Sequence, residues 1–148
     1  MWPGTDVADG TRYVKVKFND TVLVHNDAGG RLLVVDILRG VERLRVMNLY
    51  GPNGEGERAA FFRRCRRWVD AQSVVIGDWN VVMTRADVGV HNTFKSDTSR
   101  TAVLNWMSES DLVDAWRLLN PTARAYSRRQ VVLGKLKQSR IDMCMLAT

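Results

Sequence analysis

The polar and apolar positions of the chain change period twice. In Tyr13-Val14-Lys15-Val16-Lys17-Phe18, Val14, Val16 and Phe18 share one face and the two lysines the other, which predicts a strand buried on one side. Two β-rich runs follow, Thr21 to His25 and Arg31 to Leu38. The intervening Asn26-Asp27-Ala28-Gly29-Gly30 tolerates positive φ, so the pair reads as a hairpin. Arg39-Gly40-Val41-Glu42 predicts a second turn, and Leu44 to Tyr50 a third strand with Leu44, Val46 and Asn48 on one face. Pro52 offers no ladder donor, so this strand must stop and present Tyr50 and Asn53 at its end. Over Glu57 to Gln72 the period becomes helical. Phe61, Phe62, Cys65, Trp68 and Val69 form one face, opposite a solvated one of Arg63, Arg64, Arg66 and Arg67. The apolar run Ser73-Val74-Val75-Ile76 then closes in Gly77-Asp78-Trp79-Asn80, a buried strand delivering two polar side chains to the rim of a sheet. Leu44 to Trp79 is thus predicted to be a βαβ unit, and sheets of this kind bind ligands at that rim.

Beyond Asn80 the run Thr84 to Asn92 reads as a loop, and His91 has no Cys or second His at ligand spacing. Thr98 to Met107 returns to helical spacing, and Asp111 to Arg117 is expected to continue into a short helix that stops at Asn120-Pro121. The last third is basic. Arg124, Arg128, Arg129, Lys135, Lys137 and Arg140 surround Gly134 in what reads as a phosphate-contacting loop. Ser139 to Leu146 then reads as an apolar strand with Asp142 inside it, a carboxylate that needs a hydrogen-bonding partner or a place at the sheet rim.

Composition narrows the class. The 148 residues, 45% hydrophobic and 26% charged, suit one domain, with residues 1 to 12 expected to lack fixed structure and 13 to 148 to form the domain. Lys and Arg exceed Asp and Glu by 22 to 16, and the pI near 9.8 favours a polyanionic partner. Cys65 and Cys144 fit neither a disulfide framework nor a metal knuckle, and read as reduced core thiols of an intracellular protein, nuclear or cytoplasmic. No secretory signal and no membrane-length apolar run is visible, so no membrane partner is expected.

Taken together and in order, Asn48-x-Tyr50-x-Pro52-Asn53, Gly77-Asp78-Trp79-Asn80 and Ser139-Arg140-Ile141-Asp142 resemble the endonuclease/exonuclease/phosphatase superfamily. The similarity is greatest to the apurinic-type endonuclease domain of LINE-type (non-LTR) retrotransposons, and it runs from about Thr21 to the C-terminus. It implies a DNase-I-like, four-layer α/β sandwich of two mixed sheets with helices outside. It also implies a Mg²⁺-dependent phosphodiesterase acting on DNA, with a reverse transcriptase domain in the same parent polyprotein. By this resemblance Tyr50 places its hydroxyl or phenolate against the scissile phosphate, and Asn53 binds a neighbouring one. Asp78 orients or deprotonates the attacking water or holds a second metal, and Asn80 donates to the nucleophile or a phosphoryl oxygen. Asp142 matches the carboxylate that orients a catalytic histidine. Asn48, Asn53, Arg128 and Arg140 are the expected substrate contacts, and Asp78 and Asn80 the expected metal contacts.

The departures from the family pattern shape the expectation. The family's principal metal-binding Glu and the histidine of its Ser-Asp-His strand have no counterpart, so the chain reads as a partial domain with negligible nuclease activity alone. Exposed sheet edges and poor solubility are expected to follow. Trp79 replaces a commoner Phe or Leu, and Ser127-Arg128 replace Thr and an aromatic, which weakens any wedge role for the loop. Two other readings use the same residues: a superfamily phosphatase acting on lipid or inositol phosphates, and a non-catalytic nucleic-acid-binding remnant.

Overall fold

A computed structural model describes residues 6–8, 11–13 and 20–148. The predicted Val14–Phe18 alternation lies outside the described residues. Asp6–Ala8 (β1) pairs antiparallel with Thr11–Tyr13 (β2), although no fixed structure was expected over residues 1 to 12.

The main sheet has six strands in the order β3-β4-β5-β6-β10-β7. Thr21–Asn26 (β3), Leu32–Arg39 (β4) and Glu42–Tyr50 (β5) form the predicted antiparallel meander. Ser73–Asp78 (β6) lies parallel to β5, the two joined by helix Glu55–Cys65 (α1), so the βαβ unit forms as expected. Asp142–Ala147 (β10) runs antiparallel to β6, and Leu112–Asp114 (β7) closes the edge.

The alternation of each strand sorts its residues between two faces. Leu32, Val34, Met47, Leu49, Val75, Met143 and Met145 are buried beneath α1 and helix Thr98–Glu109 (α2). At the centre of this core Trp79 packs its ring 5.5 Å from Phe62 and 5.6 Å from Trp106, and donates its indole N–H to the Met143 carbonyl at 3.2 Å. The other face carries Leu33, Asn48, Ile76 and Cys144 in one register row and Leu23, Val35, Val46, Val74 and Leu146 in the next. This mixed sheet with flanking helices is the α/β architecture expected, and among the described residues one such sheet is present.

Four elements differ from expectation. Instead of a helix to Gln72, α1 ends at Cys65 and a 3₁₀ turn, Arg66–Trp68, leads to extended Val69 (φ −78°, ψ 140°). Leu112–Asp114 is strand, because Leu112 is buried at the sheet edge and Asp114 caps the following helix, Ala115–Leu119 (α3), by accepting from the Arg117 N–H at 3.1 Å. The basic segment around Gly134 is a hairpin of Arg128–Val132 (β8) and Lys135–Ser139 (β9), joined by Leu133 (φ 50°) and Gly134 (φ 72°). Finally, the expected strand from Ser139 to Leu146 is broken, since Ser139 ends β9 and β10 begins only at Asp142.

Candidate functional site

Tyr50, Asp78 and Asp142 occupy one register row across β5, β6 and β10 at the sheet rim, Tyr50 opposite Asp78 and Asp78 opposite Asp142. They point to the sheet face not covered by α1 and α2, because Asn48, Ile76 and Cys144 precede or follow them at two-residue spacing. Two glycines allow this convergence. Gly77 has φ 138°, and a Cβ there would collide with the Leu49 carbonyl, so only glycine lets β6 run this close to β5. At Gly51 a Cβ would lie 2.5 Å from the Trp79 carbonyl oxygen, so the turn after β5 also needs glycine to lie against the Gly77–Asn80 segment.

Hydrogen bonds then fix the turn between them. The Gly51 N–H donates to the Asp78 carbonyl at 2.7 Å, and the Trp79 N–H to the Ile141 carbonyl at 2.8 Å. Asn80 adopts φ 52°, a left-handed conformation that asparagine tolerates better than most residues, and its N–H donates to Asp78 Oδ1 at 2.9 Å. Asn80 Nδ2 reaches the Gly51 carbonyl at 2.8 Å and Asn53 Oδ1 at 3.1 Å, so the two asparagines form one unit. Ser127 Oγ accepts from the N–H groups of both Ile141 and Asp142 at 3.1 Å, which holds the start of β10.

The result is a cleft of about 440 Å³ lined by Tyr50, Asn53, Asp78, Asn80, Arg128 and Asp142, with Ser127, Arg129 and Ile141 completing its wall. Arg31 stacks 4.8 Å from the centre of the exposed Tyr50 ring. Burial, reinforced by the Asp142 charge, pushes the Asp78 carboxyl above its ordinary range, against the Asn80 N–H and the charge of Arg128. A second cleft of about 240 Å³ adjoins the first through Asn80, Arg128 and Ile141 and extends to Asn92, Lys95 and Arg100.

Six of the eight expected site residues thus line one cleft, and two do not. Asn48 is exposed one row back from the rim, beside Ile76. Arg140 is 4% exposed and turned away: Nε binds Asp87 at 2.8 Å and Nη2 binds Asp114 at 2.5 Å, with Trp116 stacked at 5.0 Å. The expectation of a substrate contact is corrected for Arg140, because its guanidinium is consumed in buried ion pairs. Asp142 is exposed at the first position of β10 and so meets its requirement by lying at the rim.

Several residues that shape the site went unpredicted. Trp79 anchors the motif in the core while its neighbours face the cleft. Asp87, fully buried, takes Arg117 at 2.5 Å as well as Arg140, and ties the 84–89 loop to the start of β10. Arg58, buried in α1, binds the 51–54 turn. Alternation could have separated Trp79 from its neighbours; ion pairs between residues 39 and 53 positions apart leave no local signal.

No family model matches the chain. It is 30% identical over 124 residues to the uncharacterized 149 kDa protein of transposon TX1 from Xenopus laevis, a match covering 80% of this chain and 9% of that protein. Among solved structures it is similar to the AP endonuclease LMAP from Leishmania major (TM-score 0.62, 19% identity, 80% of this chain and 46% of that one). It is also similar to the endonuclease domain of TRAS1, a telomere-specific non-LTR retrotransposon (TM-score 0.62, 16% identity, 97% of this chain and 64% of that one). The APE2 catalytic domain of Xenopus laevis aligns with a TM-score of 0.58 at 15% identity. The chain therefore spans about half to two thirds of the structures it matches and a small part of the transposon protein. The chain thus has the fold of AP-type endonuclease domains, and its sequence is similar to that of a transposon protein.

Proposed function

We propose that the chain is a DNA endonuclease-like domain of retrotransposon origin whose rim cleft binds a phosphodiester. The observation carrying this reading is that Tyr50, Asn53, Asp78, Asn80, Arg128 and Asp142, drawn from four separate segments, line a single cleft. A phosphodiester undergoing attack needs fixed donors and positive charge around its oxygens, and a group to orient the incoming water. Arg128 and the Asn53 amide supply the first, with the Tyr50 hydroxyl at the rim beside them. Asp78, held by the Asn80 N–H, is the group to orient or deprotonate water, and Asp142 faces it across the strand pair.

The superfamily implies a divalent metal, and the donor set fits one. Two apposed carboxylates, with the Asp78 carboxyl pushed up by burial and by its neighbour, are what a hard cation relieves. Asp78 and Asn80 would hold it, and the Asn80 side-chain oxygen accepts no hydrogen bond among the described residues. Bound Mg²⁺ would supply charge to a phosphoryl oxygen. The set is sparse: among the described residues no group of three or more His, Cys, Asp or Glu side chains gathers as a metal site, and neither His25 nor His91 lines the cleft. Binding, rather than rapid turnover, is accordingly the property assigned to these residues alone.

The test pairs binding with cleavage. A labelled DNA duplex should bind at low salt, with log affinity falling linearly against log salt, and inositol phosphates should compete poorly. Plasmid nicking with Mg²⁺ should stay near background. Robust metal-dependent nicking by the 148 residues would overturn the inactivity, and binding indifferent to salt would overturn the DNA reading.

A further inference from the structure

Arg58 lies on α1, outside the cleft, and is 6% exposed. A buried guanidinium is costly unless every face of it is engaged. Here Nη2 pairs with Asp97 Oδ2 at 2.7 Å, Nε donates to Ser99 Oγ at 2.8 Å, and Nη1 donates to the carbonyls of Pro52 at 3.1 Å and Asn53 at 2.8 Å. The acceptors belong to two elements. Asp97 is the N-cap of α2, accepting from the Ser99 N–H, while Pro52 and Asn53 form the turn that follows β5. A second tie runs parallel, from the Thr98 N–H to Glu55 Oε1 at 2.7 Å.

We propose that Arg58 is a positioning residue for the cleft, fixing the Pro52–Asn53 backbone against the N-terminus of α2 so that the Asn53 amide meets Asn80. The route is short and explicit. Asp97 and Ser99 hold the guanidinium, the guanidinium holds the carbonyls of the turn, and the Asn53 side-chain oxygen accepts from Asn80 Nδ2 at 3.1 Å. Asn80 in turn donates its backbone N–H to Asp78. Nothing else among the described side chains bonds to the carbonyls of Pro52 and Asn53, so without Arg58 the turn keeps its backbone attachment at Gly51 while those two carbonyls lose theirs. Lysine cannot substitute, because one ammonium cannot span Asp97, Ser99 and two carbonyls as a planar fork does.

That Asn53 contacts a phosphate rests on the function proposed above; that Arg58 places it does not, and the experiment separates the two. In the full chain and in Arg58→Lys, the side-chain amide resonances of Asn53 and Asn80 are recorded by ¹⁵N NMR. Affinity for a fluorescent DNA duplex is measured by anisotropy at a temperature where both proteins are folded. Both side-chain resonances should move, and affinity should fall roughly three- to tenfold, a loss that vanishes when Asn53 is already alanine because the two residues act as one unit. If Arg58→Lys fails to fold, Asp97→Asn makes the same comparison, since asparagine keeps the N-cap and gives up the ion pair. A lowered melting temperature with unmoved Asn53 and Asn80 resonances, or losses that add in full, would overturn the inference. Absence of DNA binding by the unaltered chain would count against the functional reading, while the resonances still decide the role of Arg58.

Discussion

Asp78 and Arg128 line the same cleft with opposite charge, and their substitution should separate its two tasks. Removing a positive contact weakens binding to all sequences alike, so Arg128→Ala should reduce DNA affinity and lower the slope of log affinity against log salt by about one. Asp78→Ala should leave that binding intact while abolishing any metal-dependent cleavage that accompanies it, as gel assays of both properties would record. Gly77 carries the geometry on which this depends. Gly77→Ala must move the Leu49 carbonyl or abandon φ 138°, and should cost more than about 3 kcal/mol in urea denaturation. Trp79 shows why single positions in a motif diverge. Period-two alternation puts it opposite Asp78 and Asn80, hence in the core, although in sequence it sits between two cleft residues.

The elements predicted with the right type are those whose pattern is local: the meander from β3 to β5, the amphipathic α1, β6 with its polar terminus, and α2. Two of the misread elements depend on distant partners. Leu112–Asp114 is strand only because β10 lies beside it, and the break before β10 reflects Arg140 turning inward to meet Asp87 and Asp114. Burial pushes Asp87 up, but the guanidiniums of Arg140 and Arg117 outweigh it and hold the carboxyl below its ordinary range. A carboxylate depressed in the folded state stabilises above its unfolded pKa, about 3.9, and loses that contribution as the pH falls through the lower folded value. Stability should thus drop below about pH 4, and Asp87→Asn, which takes one charged partner from each of two guanidiniums while Arg140 keeps Asp114, should cost about 2–4 kcal/mol and flatten that acid dependence. At the β8–β9 turn Leu133 holds φ 50° at the position where two-residue hairpins favour asparagine. Leu133→Asn should raise stability by about 0.5–1 kcal/mol by removing that strain, as thermal denaturation would report.

At the scale of the molecule, α1 and α2 shield one face of the sheet, and Leu23 and Leu33 lie exposed on the other. Leu23 is 61% and Leu33 40% exposed, so a broad apolar surface faces water. Light scattering should show concentration-dependent association, relieved by Leu23→Lys with Leu33→Lys. The candidate site was legible in the sequence because its residues sit at strand ends marked by Gly and Pro. Its supports, Arg58 with Asp97 and Arg140 with Asp87, were not, because each pairs residues about 40 or more positions apart. The central claim, that the rim cleft rather than the basic face of α1 receives a phosphodiester, is tested most directly by titrating ¹⁵N-labelled protein with a short DNA duplex and mapping the shifts. Changes are expected at Tyr50, Asn53, Asp78, Asn80, Arg128 and Asp142. Shifts confined to Arg63, Arg64 and Arg67, with the cleft residues unmoved, would contradict it.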